Sequence, residues 1–484
     1  MGQEIATTEF SDADEKEFRR RLLAETNILN RWFKQERFEV PESPMCGLEL
    51  EGWLTDSDFV PAPESEAFLE QVDDELVVPE ISRFNFELNS IPAPIRATVF
   101  SDLNRSLSAL WKGCTRKAES MGLRAIAIGS LPTIRANMLT LEHIYPSKRY
   151  FALNNRIMKL RRNMPTVLSL EGKEVLRVSH PDIMLEAAAT SVQVHLQVAL
   201  AEGKRFFNAS TIASPIMAAV AANSPFLYGK ALWSETRIPI FEQAVNLGSF
   251  RNLDGSVAKR VSLGNGYVRE SLLELFLENL DGYPVLLPDN YDRTPDELSH
   301  LRLHNGTIWR WNRPLVGIAD DGTPHLRIEH RVPSSGPSMP DVVANAAFFL
   351  GLATYLARMP EVPEDRLTFA AVKRNFFQAC KYGLNAEVEW IDGKIWNLQT
   401  LVRSELVGPV EEALEELGVD QDDIYKYITR IIRPRMMTGQ NGSNWQRAFI
   451  NTHGPNFQRL LETYYQYQKQ DIPVHEWKSE AQFS

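Results

Sequence analysis

The stretch GLELE, Gly47 to Glu51, alternates apolar and acidic residues. A period of two belongs to an extended strand, in which successive side chains point to opposite faces. Leu48 and Leu50 are therefore expected on one face, with Glu49 and Glu51 on the other. Two neighbouring carboxylates repel each other, so such a face is either solvated or shared with something cationic. In isolation the solvated strand is the simpler expectation, and the rest of the chain has to decide.

Three further segments repeat the pattern. SRFNFELNS, residues 82–90, sends Phe84, Phe86 and Leu88 one way and Asn85, Glu87 and Asn89 the other. TSVQVHLQV, residues 190–198, separates Val192, Val194, Leu196 and Val198 from Ser191, Gln193, His195 and Gln197. PHLRIEHRV, residues 324–332, sets Leu326, Ile328 and Val332 against Arg327, Glu329 and Arg331. Four faces studded with acids, amides, imidazole and guanidinium describe the lining of one cleft. Carboxylates with a histidine suit hard divalent cations, magnesium first, which keeps waters or phosphate oxygens in its shell. Arginines beside them suit phosphate, because the guanidinium fork matches its oxygens. The combination predicts a site where magnesium and a nucleotide transfer a phosphoryl group. No GxxxxGK[ST] loop, no GxGxxG between strand and helix and no GxSxG elbow competes with this expectation.

Composition is consistent with it. The chain has 484 residues, 44% hydrophobic, enough for a large core. Its 52 basic and 63 acidic residues give a net charge of −11, which argues against nucleic acid or an anionic membrane surface as partner. Cys46, Cys114 and Cys380 are few and widely spaced, as in a reduced cytoplasmic protein. The opening MGQEIATTEFSDADEKEF has no secretory pattern, and the uncharged run Phe206 to Gly229 contains Asn, Ser, Thr and two prolines, unlike a membrane span. A long amphipathic helix is expected near the N-terminus, carrying Phe18, Leu22, Leu23, Ile28 and Trp32 behind Ser and Asp caps. Another is expected over residues 97–121, and helical patterns dominate from Asp341 onward. The chain reads as a single α+β unit over 1–484: an N-terminal helix in 1–38, the catalytic sheet and helices in 39–384, and a mainly helical portion in 385–484.

GLELE, FELNSIP, SKRYFALNNRIMKLR, TSVQVHLQV, ANSPFLYGK with SETR after it, LRIEHR and FQACKYGL stand in an order that resembles the glutamate-cysteine ligase family, including its plant-type members and the related bacterial carboxylate-amine ligases. The resemblance runs from about Gly47 to Leu384. It implies a glutamine-synthetase-like fold, a curved and mainly antiparallel sheet with flanking helices that holds magnesium and ATP. It also implies a reaction in which ATP phosphorylates a carboxylate, usually the γ-carboxylate of glutamate, and an amine, usually that of cysteine, displaces phosphate. On this resemblance Glu49, Glu51 and Glu87 are metal ligands, Glu329 binds a further metal, and Arg331 contacts the transferring phosphoryl group. Gln193 and His195 occupy a strand that helps to hold metal or nucleotide, while Gln197 departs from an acid found there in plant-type sequences. Arg149 and Tyr150 lie near the amino-acid site, Arg237 in SETR is expected to pair with the substrate carboxylate, and ANSPF is a turn beneath the site.

Other features have plainer expectations. Trp309, Trp311 and Arg313 in WRWNRP either stack a base or belong to the core, with the core favoured for the tryptophans. Cys380 reads as core, and the acidic run Glu411 to Asp423 as a solvated helical face. The acceptor amine has no local signature, so an amine other than cysteine, or a non-catalytic binder of nucleotide or amino acid, stands as the alternative.

Overall fold

The computed structural model describes residues 4–247 and 259–478. Its organising element is an eight-stranded sheet whose ladders among the described residues are all antiparallel. GLELE lies inside strand β1, Met45–Thr55. The other main strands are β2, Val77–Pro79, β3, Asn85–Asn89, β4, Val192–Val198, β5, Asn312–Ile318, and β6, Pro324–His330. Across the sheet the order is β5-β6-β4-β1-β3-β2, and the short segments Ala93–Pro94 and Arg124–Ile126 also pair with β1. The sheet is flanked by helices, as the sequence pattern and its resemblance imply.

Alternation does what the sequence predicts. Leu48, Leu50, Phe84, Phe86, Leu88, Val192, Val194 and Leu196 are all buried on the apolar side. The helix Val99–Ser120 covers part of this side, with Trp111 stacked on Phe86 at 5.8 Å between ring centroids. Gly52, across the ladder from Phe86, is needed for that packing, because a Cβ there would sit 2.8 Å from the Phe86 ring. The longest buried helices, Gly203–Val220 and Met339–Arg358, pack on each other. Met339–Arg358 is long and apolar enough to cross a membrane, yet 89% of its apolar window is buried inside the protein, which makes it a core helix.

Three local expectations are corrected. In the N-terminal helix, Asp12–Lys34, Ser11 caps through a reciprocal pair with Asp14, and Phe18, Leu22, Ile28 and Trp32 are buried, but Leu23 is half exposed. Strand β5 lies outside the alternating segments that the sequence shows, and it contains Pro314, a residue disfavoured inside sheets. As the edge of the sheet, β5 has no ladder on its outer side among the described residues, so the missing Pro314 N–H is tolerated. Third, Asp423 is buried rather than solvated: its carboxylate accepts from the backbone N–H of Phe100 at 2.8 Å and of Ser101 at 2.9 Å, capping the helix Val99–Ser120.

Candidate active site

The polar faces of the strands meet in a cavity of about 580 Å³, within the range of small-molecule sites. Glu49, Glu51, Glu87, Gln193, His195, Glu329, Arg331, Arg149 and Tyr150 all line it. Ladder register explains the assembly. Glu51 lies across from Glu87, Glu49 across from Gln193, and His195 across from Glu329. Arg149 and Tyr150 arrive from outside the sheet, at the start of the helix Lys148–Leu160, whose N-terminus is capped by the Ser147 hydroxyl.

Two groups of potential ligands form. The first is Glu51, Glu80 and Glu87, each with a carboxylate oxygen within 4.8 Å of the others. The second, within the same limit, is Glu49, His195 and Glu329. Glu51 is oriented by Ser191, whose N–H donates at 2.7 Å and whose hydroxyl donates at 3.0 Å, and by Gln193 Nε2 at 3.1 Å. His195 Nε2 lies 2.9 Å from Glu49 and 4.0 Å from Glu329. Glu329 is gripped by Arg313 through two hydrogen bonds of 2.7 Å, and Arg331 lies 3.2 Å from the same carboxylate while also donating to Gln193.

The charges divide accordingly. Burial and the neighbouring Glu49 push the Glu87 carboxyl up to about 8, and burial together with Glu51 pushes Glu186 up to about 8 as well. Glu80 is raised well above its ordinary range by burial and by Glu87, Glu51 and Glu186. Burial also raises Glu51, although Arg331 works against it. In the second group burial is outweighed: Arg313 and Arg331 hold Glu329 low, and His195 does the same for Glu49. Thus the second group carries its own cations, whereas in the first burial and mutual repulsion outweigh the pull of Arg331 and Arg237 on Glu51 and leave it short of positive charge. An all-oxygen set of carboxylates with that deficit fits a hard divalent cation such as magnesium.

The sequence pattern missed several lining residues. Glu80 and Glu186 sit outside the alternating strands, on a turn before β3 and in the 3₁₀ segment Met184–Ala188, so periodicity could not find them. Arg313 was noted but not as the partner of Glu329; its place opposite Glu329 in the β5–β6 ladder became legible only with β5 itself. Arg327, Arg302 and Trp309 also line the cavity. Gln197 does not; it donates to Glu39 at 2.9 Å. Trp311 is fully buried, as the core expectation has it. Arg237 is corrected: it is 2% exposed, absent from the lining, and bonded to Glu235 and to the backbone carbonyls of Arg331 and Val332. A guanidinium so committed is not offered to a substrate carboxylate.

A pH dependence follows. With folded-state values near 8 against 4.5 for an unperturbed carboxyl, Glu87 and Glu186 hold protons that the unfolded chain has released. Their contribution to stability is fully present below pH 4.5 and is lost as pH rises through about 8. A divalent cation replaces those protons, so its affinity is expected to rise between pH 6 and pH 8, approaching tenfold per unit for each proton displaced. Titration calorimetry with magnesium in buffers of different ionisation enthalpy measures both affinity and proton release. Equal affinity at the two pH values with no proton release would remove the acidic group as a cation site.

Comparison with known proteins adds the following. The family model described as glutamate-cysteine ligase family 2 matches residues 45–463. A curated relative, a putative glutamate–cysteine ligase 2 from Herminiimonas arsenicoxydans, is 25% identical over 130 residues, which are 26% of this chain and 33% of that protein. The chain thus aligns with about a third of the length of that relative. Among solved structures, a glutamate–cysteine ligase from Francisella tularensis in complex with AMP superposes with a TM-score of 0.51 at 10% identity, covering 92% of this chain and 91% of that one. A bifunctional glutathione synthetase from Pasteurella multocida gives 0.51 at 11% identity, covering 92% of this chain and 55% of that one. At such identities these two likenesses concern the fold.

Proposed function

The chain belongs to glutamate-cysteine ligase family 2, and from that premise we propose that it is an ATP- and magnesium-dependent ligase that joins the γ-carboxylate of glutamate to the amine of cysteine through an acyl phosphate. The observation that carries this reading is the pairing, in one cavity, of a carboxylate cluster short of positive charge with buried arginine donors short of acceptors. Arg331 Nε and Arg327 Nε are both buried and have no hydrogen-bond partner among the described residues. Unmet N–H donors beside a cluster of mutually repelling carboxylates suit a ligand that is itself anionic and arrives with cations, as a nucleoside triphosphate does.

Glu51, Glu80 and Glu87 would hold one cation, and Glu49, His195 and Glu329 would offer donors for another. When bound, such cations neutralise charge on the phosphates and orient them. The protein's own part is positional. Arg331 would present its free Nε–H to the transferring phosphoryl group, steadied by Glu329 and Gln193. Arg149 and Tyr150 would flank the acid substrate. A carboxylate oxygen attacks the γ-phosphorus, and the bond to the β-γ bridging oxygen breaks to release ADP. The amine then forms the C–N bond, the C–O bond to phosphate breaks, and one amine proton is lost. Glu186 lines the cavity outside both ligand groups, and we assign it the acceptance of that proton, once a cation bound beside Glu51 has displaced the proton that burial and the Glu51 charge hold on it. Three free and buried cysteines and small-molecule substrates fit a cytoplasmic enzyme.

The test is a trap. With ATP, magnesium and glutamate but no amine, added hydroxylamine should yield the γ-hydroxamate and ADP in equal amounts, and cysteine should suppress the hydroxamate by competing for the acyl phosphate. ATP binding without hydroxamate or phosphate release, across a panel of carboxylates, would discard catalysis.

A further inference from the structure

Arg237 is turned away from the cavity, and its bonds point to a different part in the same site. We infer that Arg237 is a positioning residue for Arg331, fixing the backbone that carries the phosphoryl-contacting guanidinium. This rests on the ligase reading above.

The reason lies in where the ladder stops. Strand β6 ends at His330, whose last partners are Asn312 on β5 and Val194 on β4. Arg331 is the next residue, one step past the rungs of its own strand. Its N–H donates to the Trp311 carbonyl at 2.9 Å. Its carbonyl accepts from Arg237 Nη1 at 3.5 Å, and the Val332 carbonyl accepts from Arg237 Nη2. Arg237 thus continues from beneath what the ladder leaves off.

Arg237 is itself immobilised. Its Nε donates to Glu235 at 3.1 Å, and that carboxylate also accepts from the Ser224 hydroxyl at 2.7 Å and the Asn223 N–H at 3.0 Å. The guanidinium lies 5.5 Å from the ring of Trp311, the residue whose carbonyl holds the other side of Arg331. The ANSPF and SETR segments therefore close on each other, and their joint product is one clamp under one backbone position. A guanidinium suits this task because its donors sit on three nitrogens in one rigid plane and reach a carboxylate and two carbonyls at once, whereas an ammonium directs its donors from a single nitrogen.

Arg237→Ala would leave Glu235 buried and unpaired, confounding any loss of activity with loss of fold. Arg237→Lys keeps the charge against Glu235 and removes the arm to the carbonyls. Hydroxamate formation by this variant is expected to fall about 10- to 100-fold in kcat, the scale of small displacements of a reacting group. The KM values for ATP and glutamate should stay within a few-fold. In an Arg331→Ala background the same change should lower the residual turnover no further, since the residue it acts through is already gone. Should the lysine variant not fold, Glu235→Gln with Arg237→Gln removes both buried charges and is judged by the same criteria. An equal fractional loss in both backgrounds overturns the proposal, as does a raised glutamate KM at unchanged kcat, which would return Arg237 to substrate binding. A fully active Arg331→Ala protein would instead sink the ligase reading of Arg331, and the positioning role with it.

Discussion

Arg331→Ala is expected to lower hydroxamate formation by on the order of 10³-fold or more, the lower end of what an arginine contributes to phosphoryl transfer. The protein should remain folded. Glu329, the buried carboxylate beside Arg331, keeps both hydrogen bonds from Arg313, so the substitution leaves no unpaired charge there. The loss should fall on kcat, with ATP affinity altered only a few-fold, because the phosphates retain the other arginines of the cavity. Rates from the hydroxylamine trap and nucleotide affinity from calorimetry provide the two readouts. If more than a tenth of the wild-type rate survives, Arg331 does not touch the transferring group.

Glu87→Gln is expected to move stability and activity in opposite directions. Glu87 is 2% exposed, faces Glu51 across the ladder and is raised by burial and by its acidic neighbours. Glutamine keeps the shape and removes a repelling charge, so the melting temperature without divalent cation should stay level or rise at pH 8. Yet the first ligand group loses one of its three carboxylates, and magnesium-dependent turnover should drop by at least on the order of 10²-fold, beyond the usual cost of changing residues that merely orient a metal's ligands. The stabilisation conferred by magnesium should shrink in parallel. A residue that served packing alone would show the reverse, with lower stability and turnover lost only in proportion to unfolded protein. Catalytic groups are often held against the preference of the fold, and the acidic group has that character.

The sheet and its polar face were legible because a strand buried on one side imposes a period of two, and Leu48, Phe86, Val194 and Ile328 obey it. The same rule delivered Glu49, Glu51, Glu87, His195 and Glu329 to one cavity without any knowledge of turns. Residues that reach the cavity from turns or short helical segments have no such period. Glu80 and Glu186 are positioned by long-range packing, and nothing near them in the chain distinguishes them from surface acids. Arg237 failed for a related reason. Sequence supplies the donor but not the direction in which it points, and burial beneath the sheet turned an expected substrate contact into a bond to backbone carbonyls.

Glu49 and Glu51 share a strand yet serve different ligand groups. Two residues of extended chain span about 6.7 Å, so strand β1 acts as a gauge bar that sets the spacing of the two groups by covalent geometry. Loops elsewhere can lengthen without disturbing that interval. One residue inserted or deleted between Glu49 and Glu51 would put the two carboxylates on opposite faces of β1, turning one of them into the apolar interior. The centre should therefore tolerate many exchanges of side chain around it, but no change in the length of this short piece of backbone.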